Sequence, residues 1–293
     1  HMLDAGGTQM DIGSFLSPKA LPQMSDMKEL TAAILGACGD TFSPIALIPN
    51  VRGAEMAVAC GLKRVTYVVS VSERHNMANV GKTPRESMEA LKELVGLFPM
   101  LQVRVDLATA FGCPYEGRIA PERVVALMEQ AMQCGVREFV FCDTIGVALP
   151  AQVEKMVRLA KARAGSGAAL GLHLHDTRGL GLTNAYVGIQ NGIDTLETSV
   201  AGLGGCPFAP GAAGNTATED LLYMARGMGM ETGIDFEKYL LAVQYVKEHI
   251  QRNVTSRQAN LCVSETQNDW AWSRHEAGRK KDDPSGAGAM NKA

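Results

Sequence analysis

The feature that most constrains this chain is an alternation of short, almost uninterrupted apolar runs with longer amphipathic stretches. The runs are Thr8–Phe15, Pro44–Pro49, Arg64–Val71, Leu101–Thr109, Val136–Cys142, Ala168–Leu174 and Thr195–Val200, rich in Val, Ile and Leu. Strands covered on both faces read this way, whereas strands with one wet face alternate. Between them lie helix signals. Thr83-Pro84-Arg85-Glu86 forms a capping box that opens a helix over Pro84–Phe98. Helices over Pro121–Cys134 and Pro150–Ala164 stop at Gly135 and Gly165, and two more, Ala217–Met228 and Phe236–Gln251, follow the last run. Strand, helix, strand in repetition predicts an α/β fold with a parallel sheet and right-handed crossovers. The count is seven strands, one short of the eight that close a parallel barrel. An open doubly wound sheet is the competing topology, but no GxGxxG loop follows the first strand.

At 293 residues the chain accommodates one large domain, predicted over residues 3–273. Residues 274–293 mix charge with Gly, Ala and Pro without apolar periodicity, so a disordered tail is expected there. A net charge of −3 without a dense Lys/Arg block argues against nucleic acid as a partner but leaves small anionic ligands open. No apolar run long enough for a membrane span and no signal peptide occur in this sequence. The seven cysteines contain no CxxC pair and are odd in number, which fits neither a zinc ribbon nor a disulfide framework. Reduced thiols and a cytoplasmic location are expected. The sequence leaves self-association into a homo-oligomer open.

Two local patterns carry chemistry. In Leu172-His173-Leu174-His175-Asp176, the histidines are two apart at the end of a strand, so both side chains can converge on one ion. In a parallel barrel that end is the catalytic one. An HxH pair can also be two satisfied core histidines, and the spacing alone does not separate the readings. The second pattern is the loop Ala201–Asp220, with Gly202, Gly204, Gly205, Gly211 and Gly214 around Cys206. Its glycines permit backbone approach to a ligand and lid-like motion. A thiol between glycine and proline there suits a mobile acid/base or nucleophile, or is an incidental loop cysteine. Asn215, in this loop just before a helix opened by Thr216, is either a plain helix-start residue or an amide oxygen completing a metal site.

HLHDTRG and SVAGLGGCPFAPGAAGNTATEDL resemble the signature region of hydroxymethylglutaryl-CoA lyases, and so do IGSFLSPKALPQM, SVSE with Asn79 after it, FGCPYEGRI and CDTIGV. These matches run in order from about Leu3 to about His249. Condensing enzymes such as isopropylmalate and homocitrate synthases share the HxH element but carry a GERAGN-like stretch where this chain has GGCPFAPGAAGN. The resemblance implies a TIM barrel that uses Mg²⁺ or Mn²⁺ and an acyl-CoA thioester, with a place in leucine degradation. By the same resemblance His173, His175 and Asn215 are metal ligands, and Cys206 is a catalytic acid/base. Asp143 is an aspartate near the substrate hydroxyl, Asp11 stands where the family usually has glutamate, and Ser14 and Asn79 line the substrate pocket.

One element of the family pattern has no match. Family members open with a strand ending in an RDGLQ-like motif, which supplies a catalytic arginine and an aspartate metal ligand. The resemblance therefore implies a (β/α)8 barrel lacking its first strand and part of its first helix, plus C-terminal helices. The expected reaction is cleavage of 3-hydroxy-3-methylglutaryl-CoA to acetyl-CoA and acetoacetate, with little or no activity expected of these residues without the RDGLQ-like segment. An impaired remnant that binds metal or acyl-CoA, and a lyase acting on a related 3-hydroxy-acyl-CoA, are the alternatives.

Overall fold

The computed structural model describes residues 1–16, 21–205, 214–250 and 254–261. Its centre is a sheet of seven strands, all parallel: β1 (Gln9–Ser14), β2 (Ser43–Ile48), β3 (Arg64–Ser70), β4 (Gln102–Ala108), β7 (Glu138–Asp143), β8 (Ala169–Leu174) and β9 (Thr195–Glu197). They lie in the order β1-β2-β3-β4-β7-β8-β9, so each strand neighbours the next main strand of the chain. A two-residue ribbon, β5 (Gly112–Cys113) with β6 (Gly117–Arg118), interrupts the passage from β4 to β7. The seven runs read from the sequence are the seven strands. The sheet is curled rather than flat. Arg104 on the central strand β4 reaches carboxylates on both edge strands, Asp11 of β1 and Glu197 of β9.

The helices pack on the outside: α1 (Met27–Cys38), α2 (Val51–Ala59), α3 (Glu73–Val80), α4 (Pro84–Leu97), α5 (Pro121–Gln133), α6 (Pro150–Ala164) and α7 (Gly181–Gln190). The capping box at α4 forms in both directions: the Glu86 amide donates to Thr83 Oγ1 at 3.2 Å, and the Thr83 amide to Glu86 Oε2 at 2.7 Å. Val65, Tyr67, Val69, Val103, Val105, Leu107, Phe139, Phe141, Leu170, Leu172 and Leu174 alternate along β3, β4, β7 and β8 and belong to one buried core with Leu91, Leu94, Met128, Met156 and Val157 of the helices. Burial of such side chains contributes roughly 1.5–3 kcal/mol each.

Two of the strands that end earlier than expected do so for a local reason. The run to Thr109 stops at Ala108 because Thr109 turns to φ 59°. There its amide takes the Thr144 hydroxyl at 2.7 Å, while its own hydroxyl caps the Ser72 amide. The run to Val200 stops at Glu197, and a single 3-10 turn, Val200–Gly202, follows with Ala201 at φ 58°. The Ala201 amide is held there by Glu219 Oε2 at 3.1 Å, from the first turn of α8 (Thr218–Gly227).

A second, smaller core joins the two edges of the sheet. Ala5, just before β1, packs with Ala201, Leu222 of α8, Tyr239 and Val243 of α9 (Phe236–His249), and Ala259 of α10 (Arg257–Leu261). The Asp235 amide, at the N-cap of α9, donates to the Ala5 carbonyl at 2.8 Å. Residues before β1 are thus tied to helices that follow β9. The expected tail over 274–293 lies outside the described residues.

Candidate active site

β8 carries its leucines outward into the core and its alternate residues, Gly171 and His173, toward the inside of the curl; His175 follows one step beyond the strand. The period-two geometry brings the two imidazoles together as expected, with His173 Nε2 and His175 Nε2 3.3 Å apart. Two ligands at about 2.1 Å from one octahedral ion, in adjacent positions, stand roughly 3 Å apart. Neighbouring backbone brings a third donor. The Asp176 amide donates to Gly214 O at 3.1 Å and the Thr216 amide to Leu174 O at 3.0 Å, which lays residues 214–216 against the end of β8. Asn215 pairs with His175 as an antiparallel bridge. Its Nδ2 donates to Leu203 O at 2.8 Å, while its Oδ1 is buried without a hydrogen-bond partner. Gly214 permits this approach, since a Cβ there would sit 2.2 Å from the carbonyl oxygens of both Gly202 and Gly204.

Two ring nitrogens 3.3 Å apart, with a buried unpartnered amide oxygen on the residue bridged to His175, could together hold a cation, since an acceptor buried without a donor costs on the order of 1–3 kcal/mol. Imidazole nitrogens with amide oxygen suit Mn²⁺ and, less tightly, Mg²⁺. Among the described residues no third histidine, cysteine or carboxylate joins the pair closely enough to hold a metal. Burial, and then the neighbouring His173, push the His175 imidazole down to about 4, so it is neutral near pH 7 and its lone pair is available.

Beneath the histidines the inner face of the sheet is ionic. His173 Nδ1 lies 3.0 Å from Glu197 Oε2, its direct neighbour on β9. Glu197 Oε1 is 2.5 Å from Arg104 Nη1. Arg104 also gives Nε to Asp106 Oδ1 at 3.2 Å and Nη2 toward Asp11 Oδ2 at 3.7 Å. Burial opposes charge on Glu197, but the His173 N–H and the Arg104 guanidinium outweigh it and hold its carboxyl below the usual range. Burial likewise opposes the His173 cation, and the Glu197 hydrogen bond reverses that, raising the imidazole. Asp106 goes the other way, since burial and then Glu197 push its carboxyl up to about 8. Asp11 keeps nearly half its side-chain surface open yet sits within the curl, and the surrounding protein pushes it up to about 6. Lower still, Arg64 at the start of β3 makes a bidentate pair with Glu138 at the start of β7, both bonds 2.9 Å.

The other expected site residues are placed variously. Asp143, the last residue of β7, is 1% exposed and spends its two oxygens on the Val147 and Ala148 amides, at 2.8 and 3.0 Å, holding the following loop. Ser14 is buried at the end of β1 with an unpartnered Oγ. Asn79 is on the exposed side of α3; one turn earlier, buried Asn76 fixes that region through the Ser70 amide, Lys82 O and Ser87 Oγ. Cys206 lies outside the described residues. Arg104, Asp106 and Glu197 were not among the candidates read from the sequence. The signal was there for two of them: VRVDLA sets two charges on one face of a run whose other face is apolar.

The chain and its fold resemble known proteins. The family model described as HMGL-like matches residues 4–246. A hydroxymethylglutaryl-CoA lyase of Bacillus subtilis is 39% identical over 261 residues, covering 88% of this chain and 86% of that protein. A crystal structure of a Bacillus subtilis HMG-CoA lyase superposes with a TM-score of 0.85, covering 90% of this chain and 88% of the other at 37% identity. The (R)-citramalyl-CoA lyase of Chloroflexus aurantiacus is 36% identical, covering 86% of this chain and 82% of that protein. An HMG-CoA lyase from Acinetobacter baumannii, solved with coenzyme A and 3-methylmalate, superposes with a TM-score of 0.83 at 35% identity, covering 88% and 85%. With a matched span of this length and relatives at this identity, the chain belongs to the HMGL-like family, whose named relatives are acyl-CoA lyases.

Proposed function

We propose that the site cleaves 3-hydroxy-3-methylglutaryl-CoA to acetyl-CoA and acetoacetate with the help of a divalent ion. The observation that carries this reading is the convergence of His173 Nε2 and His175 Nε2 at the end of β8, with Asn215, whose Oδ1 is buried and unpartnered, bridged to His175. These three residues would hold the ion. A bound Mg²⁺ or Mn²⁺ would acidify the tertiary alcohol of the substrate and fix it relative to the protein.

In the reaction the hydroxyl proton leaves, its electron pair closes the ketone of acetoacetate, and the C2–C3 bond pair passes to the thioester as an enolate. That enolate then takes a proton and becomes acetyl-CoA. Cys206 is the residue we assign to proton delivery. Asp143 orders the loop after β7 and lies near the substrate hydroxyl in this reading. Asp11 closes the β1 side of the site, and Ser14 and Asn79 belong to the substrate pocket. The assignment is tested by acetyl-CoA release with and without added Mn²⁺. Cys206→Ala should remove most turnover and leave Mn²⁺ affinity unchanged. A parallel loss of Mn²⁺ binding would make Cys206 a ligand and overturn its role.

Two neighbouring readings have specific support. The citramalyl-CoA lyase among the relatives makes a related 3-hydroxy-acyl thioester a competing substrate, which a panel of thioesters separates by kcat/KM. Weak metal binding with slow turnover is the other, supported by Glu197, the carboxylate at the pair, facing His173 Nδ1 rather than the two Nε2 atoms that converge.

A further inference from the structure

We propose that Glu197, clamped by Arg104, is the positioning residue that sets the ring orientation and tautomer of His173. The inference rests on the metal reading of the site given above. Both Glu197 oxygens are engaged: Oε1 meets Arg104 Nη1 and Oε2 meets His173 Nδ1 at 3.0 Å. Arg104 is itself fixed by Asp106 and Asp11, so the carboxylate is aimed from a rigid base on three strands. A carboxylate only accepts, so the hydrogen must sit on His173 Nδ1. That leaves the Nε2 lone pair pointing at His175 Nε2, where a cation would lie. Glu197 and His173 are register partners on β9 and β8, so the pairing is built into the sheet itself.

A purely structural salt bridge between β9 and β4 would use the same Glu197–Arg104 contact. It would not require the second oxygen to face an imidazole nitrogen, and it would leave the tautomer of His173 unselected.

The full chain, with ¹⁵N-labelled histidine and free of metal, is examined by long-range ¹H–¹⁵N NMR, and Mn²⁺ binding is followed by EPR. The wild-type His173 should carry its hydrogen on Nδ1. In Glu197→Gln, nearly isosteric and still able to face Arg104, the Nδ1–H form should lose its dominance and Mn²⁺ affinity should fall roughly 10–100-fold. A wild-type His173 protonated on Nε2 overturns the inference with no variant needed, whether or not the variant folds. Mn²⁺ affinity within twofold of wild type in a folded Glu197→Gln overturns it as well, and leaves the metal site standing. A wild type that binds no Mn²⁺ overturns the metal reading and this inference together.

Discussion

Strand β4 presents two chemically opposite faces. Val103, Val105 and Leu107 point outward into a core shared with the helices, Val105 and Leu107 with no exposed surface at all. Arg104 and Asp106, interleaved with them, point inward to a set of charges drawn from β1, β4, β8 and β9. The interior of a parallel barrel is ordinarily filled by branched apolar side chains. Here the apolar packing is complete on the outer face, so the inner face is free to hold charge. The outer face determines that the chain folds, and the inner face determines what the C-terminal strand ends can bind.

The sharpest way to break the outer face is Phe139→Ala. Phe139 has no exposed surface and sits among β7, β8 and the helices. Removing it costs about 3–5 kcal/mol from lost transfer free energy and the cavity left behind. Urea unfolding should show this loss, and the variant that remains folded should keep the Mn²⁺ affinity of wild type. A change in affinity at constant fold would mean that the two faces are coupled more tightly than their alternation implies.

Arg104→Met breaks the inner face instead. It leaves Asp11, Asp106 and Glu197 together without their shared cation, and removing one partner of a buried pair costs roughly 3 kcal/mol or more. The cost depends on pH. Without the guanidinium the folded pKa values of Asp11 and Asp106, already above their unfolded values, rise further, so the stability those two contribute is present at low pH and lost as pH rises through them. The variant should therefore fall furthest behind wild type above about pH 7 and recover toward pH 5, read as unfolding midpoints at each pH. A deficit constant across that range would show that Arg104 acts through packing of its stem rather than through its charge.

How much of this was legible follows the same division. The outer face is written in local patterns: continuous apolar runs gave all seven strands, and Thr83 with Glu86 gave the start of α4. The histidine pair was legible too, because a spacing of two on a strand has one geometric consequence. Glu197 was not, since Thr195-Leu196-Glu197 reads as the polar end of a short run, and only the β8–β9 register sets it beside His173. Arg104 and Asp106 could have been noticed as misplaced charges, but the other partners of Arg104, Asp11 and Glu197, come from strands about 90 residues away in either direction. The strand ends at Ala108 and Glu197 were misjudged for a related reason: Thr144 and Glu219, distant in sequence, hold Thr109 and Ala201 at positive φ.

The gentlest alteration of the inner face is Asp106→Asn. Burial and the nearby Glu197 charge put the Asp106 carboxyl at about 8, so near pH 6 it is already neutral. Its Oδ1 accepts from Arg104 Nε, and an asparagine Oδ1 accepts the same bond. The substitution should therefore be nearly silent at pH 6. The difference lies in the pH dependence. Because the folded pKa lies above the unfolded value of 3.8, the contribution of Asp106 to stability is fully present below about pH 4 and lost as pH rises through about 8. One such group gives a slope of at most about 1.4 kcal/mol per pH unit, and asparagine has none. Thermal or urea midpoints from pH 5 to 9 should accordingly decline less steeply in the variant, which overtakes wild type on the alkaline side. Parallel curves would show that Asp106 is ionised throughout and that Arg104 neutralises it fully. In that case the inner face would behave as a set of matched ion pairs rather than one cation shared among competing carboxyls.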